Sequence, residues 1–168
     1  VSAMNQQGFV GFDITERNDA GQLVGKSVRG EYYPVYYVVP FLGNEPVHGF
    51  DLASNNTRKL ALKEAGRSGN TTTSSRITLV QSQGDSFGFL IFCPVYSDLG
   101  GGIVPVSDKE EMLKGFMLGV FDFKLIIERA MVGLNNQNIL IQLVDLSAKA
   151  GSQRLYASAN ISNQDNDD

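Results

Sequence analysis

The residues of this chain most capable of chemistry on a small molecule are two arginines. Arg76 opens the β-rich run Arg76-Ile77-Thr78-Leu79-Val80 directly after a Ser/Thr tract that includes Ser74. A guanidinium in that position can reach into a cavity and hold a carboxylate or phosphate through two parallel hydrogen bonds. Near it in sequence the only acid is Asp85, across a turn. If Arg76 is buried, an anionic ligand is therefore its expected partner, because an unpaired buried charge is costly. Arg58 stands in the first turn of a helix predicted from about Asn55 to Ala65, at the positive end of the dipole. That local conflict invites an acidic neighbour or ligand. Two ordinary surface arginines are the plain alternative.

Other chemistry is thin. The single histidine, His48, has no Gly-x-Ser-x-Gly elbow to serve, so a hydrolase triad is not indicated. Asp51, at a strand end before a helix, suits either a turn cap or a pocket carboxylate. Asp122 reads as a helix cap. Cys93, the only cysteine, lies inside an apolar strand and reads as a small buried hydrophobe. No spaced set of His, Cys and carboxylates suggests a metal, and Gly100-Gly101-Gly102 lacks the Lys and Ser/Thr of a phosphate loop. No cofactor is expected.

Composition bounds the partners. The 168 residues are 42% hydrophobic and 19% charged, which is globular, with a formal net charge of −4. Scattered basic residues under a negative balance argue against a nucleic-acid footprint or an anionic membrane surface. No apolar run approaches the roughly 18–20 residues of a membrane helix.

The elements that must position the arginines follow from patterning. Phe9 to Ile14 reads as a short strand, Thr15 to Gly21 as a turn-rich loop, and Tyr32 to Val39 as an aromatic strand stopped by Pro40. Gly49 to Tyr96 reads as one strand–helix–strand–strand unit. Ser54 is its expected N-cap, Gly66 and Gly69 its stops, and Leu60 and Ala61 the side chains packed on the sheet. Phe116 to Phe121 is a strand, and Phe123 to Leu134 a helix with Leu125, Ile126, Ile127, Ala130 and Met131 as a broad buried face. Ile139 to Leu146 and Arg154 to Ala157 complete the strands. This order gives an α+β fold: a PAS-like, mostly antiparallel sheet with flanking helices, followed by a second, smaller PAS-like lobe.

The order of several blocks also carries a resemblance. Gly49-Phe50-Asp51-Leu52-Ala53-Ser54, the Arg-bearing helix, Arg76-Ile77-Thr78-Leu79-Val80 and Gly88-Phe89-Leu90-Ile91-Phe92-Cys93-Pro94-Val95-Tyr96 are its centre. Glu31-Tyr32-Tyr33-Pro34 upstream and Gly119-Val120-Phe121-Asp122 downstream extend it. Together they resemble the CHASE domain, the extracytoplasmic ligand-sensing domain of bacterial receptors and plant cytokinin-receptor histidine kinases. The resemblance implies a membrane-distal sensing lobe over 1–122, its N-terminal helix missing, and a membrane-proximal helix and strands over 123–168. It implies pocket positions at Arg58, Ser74, Val80 and Phe92, with Arg76 added by its own position. Tyr33 and Tyr36 join as walls on their aromatic character alone. In cytokinin-binding members the position matching Arg58 is acidic and holds the adenine, so an arginine here reverses donor and acceptor and disfavours cytokinin.

The expected function is thus a periplasmic sensor domain of an inner-membrane receptor, a histidine kinase or cyclic-di-GMP enzyme. It binds a small, anionic molecule, catalyses nothing, and pairs as a homodimer in the intact receptor. It reaches the membrane only through flanking helices outside this chain. A ligand-free interaction or structural module is the alternative.

Overall fold

The computed structural model describes residues 12–79, 87–97, 109–133 and 139–158. Its centre is a ten-residue strand, β5 (Phe87–Tyr96), with β6 (Leu113–Asp122) along one edge in antiparallel register from Gly88↔Asp122 to Tyr96↔Leu113. The other edge is shared by two short strands. β3 (Thr72–Thr73) pairs with Phe92 and Ile91, and β4 (Ile77–Thr78) with Gly88 and Phe87. Between them the chain leaves the ladder, and Ser74 bridges the gap. Its N–H donates to the Leu90 carbonyl at 2.8 Å, and its hydroxyl accepts from the Leu90 N–H at 3.0 Å. Beyond Phe92, β5 is paired by β6 alone, where Pro94 costs the sheet no second ladder.

Helix α1 (Asn56–Ser68) covers one face of this sheet. Its buried residues are Arg58, Ala61, Leu62, Ala65 and Gly66, spaced as one helical face. They meet Phe50, Ile77, Leu79, Leu90 and Phe92 in the core, with Phe116 and Leu118 of β6 packed at its border. The face is rotated by one position from the expected one. Leu60 is 64% exposed, whereas Leu62 is 1% exposed. The reason is Arg58: a cation left out of the apolar face in fact opens the buried stripe. The cap also moves by one, since Asn55 Oδ1 accepts from the Arg58 N–H at 3.3 Å. Gly66 does not stop the helix. It lets the backbone approach β6, where a Cβ would lie 3.2 Å from Leu113 and 3.4 Å from Phe116. Gly69, at φ 76°, ends the helix in the left-handed conformation.

Upstream, the expected loop from Thr15 is instead a hairpin, β1 (Thr15–Arg17) with β2 (Leu23–Gly25), closed where Asn18 Oδ1 accepts from the Gln22 N–H. Phe12 and Ile14 are buried but stand outside a strand, and Phe9 and Val10 lie outside the described residues. The Tyr32–Val39 strand is reduced to a single bridge, Pro34↔Asp51. Pro34 has no N–H to give, and the Tyr33 N–H is taken by the Asp51 carboxylate at 2.8 Å rather than by a neighbouring carbonyl.

Asp51 is fully buried. One oxygen accepts from Tyr33 N–H and, at 3.1 Å, from Ala53 N–H, capping a short 3-10 turn over Leu52–Ser54. The other accepts from Arg29 Nη2 at 2.7 Å, and Arg29 also pairs with Glu16 of β1. Burial alone would raise the Glu16 carboxyl, but hydrogen bonds from Ser27 and the Arg29 charge hold it below its usual range. Gly49, at φ 82°, makes the turn into this segment, and a Cβ there would lie 2.2 Å from the Asp13 carbonyl oxygen.

Downstream, a single helical turn, α2 (Lys109–Met112), leads into β6. Asp122 caps α3 (Phe123–Ala130), accepting from the Leu125 N–H at 3.1 Å. The expected buried face of α3 is not buried: Leu125 and Ile126 are exposed, and none of the helix is fully covered. Phe123 anchors its start on Phe89 at 5.3 Å, while the nearby two-stranded hairpin is too small to cover the rest. That hairpin is β7 (Gln142–Val144) with β8 (Arg154–Ala157), shorter than the Ile139–Leu146 expectation. All the paired strands are antiparallel, so the architecture is α+β as expected.

Two outcomes follow from this packing. Leu62→Ala should cost about 2–5 kcal/mol in urea unfolding, whereas Leu60→Asp should stay within about 0.5 kcal/mol of wild type. Equal losses would place the buried face elsewhere. Because the Glu16 pKa is depressed in the fold, its contribution is present above the unfolded value of about 4.3 and is lost as pH falls through the lower folded value. Glu16→Gln should therefore lower Tm at neutral pH and flatten its acid dependence. Parallel Tm curves for the two proteins below pH 5 would contradict this.

Candidate functional site

A cleft of about 490 Å³ opens at the N-terminal end of α1, within the size range of small-molecule pockets. Three segments enclose it. The β1–β2 hairpin contributes Arg17, Asn18 and Asp19; the start of α1 contributes Ser54, Asn55, Thr57 and Arg58; the sheet contributes Arg76, Ile77, Thr78 and Phe87. Phe50 also lines it. Each wall is set by a feature already described: the hairpin by its Asn18 turn, the helix start by the Asn55 cap, and Phe50 by the Asp51 anchor beside it.

Arg58 is the central group. It is 6% exposed, its Nη2 donates to the Thr78 carbonyl at 2.9 Å, and its guanidinium carbon sits 5.2 Å from the Phe50 ring centre. Among the described residues no carboxylate lies within 4.0 Å of it. Burial pulls its pKa down to about 10, and the neighbouring Arg17 charge adds to the effect. A single carbonyl and a ring face compensate the desolvated cation only partly. With the Arg17 charge beside it, Arg58 makes this end of the cleft positive.

Arg76, the second arginine singled out by its sequence position, also lines the cleft. It is not without an acid, as the sequence suggested: Asp145 Oδ2 lies 4.0 Å from its Nε, and Ser152 offers its carbonyl. Sequence separation hid both, since they stand on a distant hairpin loop.

The other expected pocket residues do not border this cleft. Ser74 is buried with its hydroxyl committed to Leu90 and to the Ser75 carbonyl at 2.8 Å. Phe92 lies wholly in the core under α1, 6.1 Å from Phe116. Tyr33 packs on Phe116 at 6.0 Å, and Tyr36 packs on Phe12 and Tyr37. Val80 lies outside the described residues. Of the twelve lining residues sequence reasoning chose only Arg58 and Arg76; the other ten, with Arg17, Thr78 and Phe87 among them, were passed over. The hairpin signal Asn18-Asp19-Ala20-Gly21 could have suggested that the arginine before it is held at a strand end. His48, packed between Phe12 and Phe41, serves structure. Among the described residues no cluster of His, Cys, Asp and Glu could hold a metal, and no helix is long and apolar enough to cross a membrane.

Comparison with curated proteins returns no match. Comparison with family models matches the CHASE domain over residues 1–156 of the 168. The chain therefore belongs to the CHASE domain family, whose members are extracytoplasmic, non-catalytic sensor domains of receptors.

Proposed function

We propose that this domain senses a small anionic molecule in the cleft at the start of α1, as the periplasmic input of an inner-membrane receptor. The observation that carries the reading is Arg58: a 6% exposed guanidinium, beside a second arginine, facing a cleft and lacking a carboxylate within 4.0 Å among the described residues. Residues 1–122 form the sensing lobe in this reading, and 123–168 begin the membrane-proximal lobe. The intact receptor is a homodimer, joined to its membrane through helices outside this chain. Its output is a histidine kinase or a cyclic-di-GMP enzyme. Ligand recognition rests on charge and shape and requires no bond making.

On this reading a neutral ligand is disfavoured. An uncharged adenine-like ring would leave the Arg17–Arg58 repulsion unrelieved. An anion bearing a small apolar body fits better, because Phe50, Ile77 and Phe87 supply apolar wall beside three arginines, Arg17, Arg58 and Arg76, set against one carboxylate, Asp19. The polar side chains of Asn18, Asn55 and Thr57 can orient such a body without adding charge.

Calorimetry against acetate, succinate, benzoate, inorganic phosphate and adenine tests this directly. An anion should bind best and raise Tm with the logarithm of its concentration above Kd, the stability gain reaching about 2.7 kcal/mol at 100 times its Kd. Arg58→Gln should weaken that anion by about 2–4 kcal/mol, the scale for a desolvated charge-assisted bond. Arg58→Lys should recover part of the loss, since a point charge cannot make the two-pronged contact. Preference for adenine, with Arg58→Gln binding it as wild type does, would overturn the reading. A protein that binds nothing in the panel would instead support a ligand-free interaction module.

A further inference from the structure

Arg76 belongs to the cleft and to a second structure at once. Its guanidinium carbon lies 4.8 Å from the Phe87 ring centre on the cleft wall. From the same group Nη1 donates to the Ser152 carbonyl, and Nε faces Asp145 Oδ2 at 4.0 Å. Both acceptors stand on the loop joining β7 to β8.

The ion pair among these links is the weak one. At 4.0 Å the Asp145 contact lies beyond hydrogen-bond reach, and both side chains are partly exposed, a setting in which ion pairs contribute little. Asp145 does not need Arg76. Its Oδ1 accepts from the Ser147 N–H at 2.9 Å and from the Ser147 hydroxyl at 2.6 Å. Those bonds, ahead of the Arg76 charge, hold its carboxyl below the usual range. The loop also has backbone bonds of its own, Asp145 N–H to Gln153 at 2.8 Å and Ser152 N–H to Lys149 at 3.0 Å. Arg76 can therefore leave without orphaning a charge. A carboxylate or phosphate in the cleft could engage it with two short parallel bonds, a stronger interaction than either it gives up.

We propose that Arg76 is an exchangeable clasp: an anionic group bound in the cleft draws its guanidinium off Asp145 and Ser152, and so releases the β7–β8 loop from the sheet. The inference rests on the reading of the cleft as an anion site and adds the route by which occupancy leaves that site. A ligand shifts such an equilibrium only by its differential affinity for the two states. Here a two-pronged bond to a charged acceptor replaces one hydrogen bond to an uncharged carbonyl and one long ion pair. The coupling is reciprocal. Whatever loosens Arg76 from Asp145 must tighten anion binding.

The test uses the whole 168-residue chain with succinate and inorganic phosphate as separate probes, read by calorimetry and by amide hydrogen exchange. Saturation with the binding anion should speed exchange of the Asp145, Ala148 and Ser152 amides about 3–10-fold, while α1 amides slow or stay unchanged. Asp145→Asn should raise anion affinity about 2–5-fold. Arg76→Gln should give fast loop exchange whether or not anion is present. If an anion binds wild type but loop exchange and Asp145→Asn affinity stay unchanged, the clasp is wrong and the anion site stands. If neither probe binds wild type, the anion reading falls and the clasp falls with it. Whichever probe produces the response identifies carboxylate or phosphate as the recognised group.

Discussion

The fully buried Asp51 carboxylate is the constraint on which the rest depends. A charge removed from water must be matched atom by atom, and here the match draws three separate segments together. The Tyr33 N–H, the Ala53 N–H and the Arg29 guanidinium converge on it. Its own backbone is threaded between the Thr15 carbonyl, 2.8 Å from its N–H, and the Pro34 bridge. Arg29 then carries the tie to Glu16 on β1. One side chain thus fixes the hairpin that supplies Arg17, the Phe50 ring that flanks Arg58, and the 3-10 turn that delivers the chain to the Asn55 cap.

The cleft inherits its electrostatics from that arrangement. Glu16 and Asp51 both serve Arg29, whereas among the described residues no carboxylate lies within 4.0 Å of Arg58, which has a carbonyl and a ring. The two arginines lie in one small structure yet have opposite surroundings. Arg29 is a structural cation, neutralised so that the fold can close. Arg58 keeps donor capacity beyond its one carbonyl and its ring face.

The strong periodicities were legible in the sequence. The apolar run at Gly88–Tyr96, the Asp122 cap and the Gly69 stop are found where their residue types place them, and the Phe116–Phe121 strand is found within the longer Leu113–Asp122. What failed did so for physical reasons. Leu60 drew the helix face to itself because hydrophobicity is a one-way guide, and the stripe in fact begins with an arginine. The Tyr32–Val39 strand was overruled by a side chain, Asp51, competing with backbone carbonyls for an N–H. At the site, Arg58 and Arg76 were visible as local conflicts of charge and position. Arg17 and Asp145 were not, because their proximity depends on how a hairpin and a distant loop fold across the sheet. Tyr33 and Tyr36 were chosen for ring character, which cores demand as often as pockets do.

Helix α1 divides its labour along its length. Its first turn presents Arg58 and Thr57 to the cleft, while the later turns carry Ala61, Leu62, Ala65 and Gly66 into the core. Chemical preference and mechanical support are therefore encoded in different turns of one rod. A change confined to position 58 would therefore alter the charge at the cleft, while the seating of the rod rests chiefly on the turns that follow.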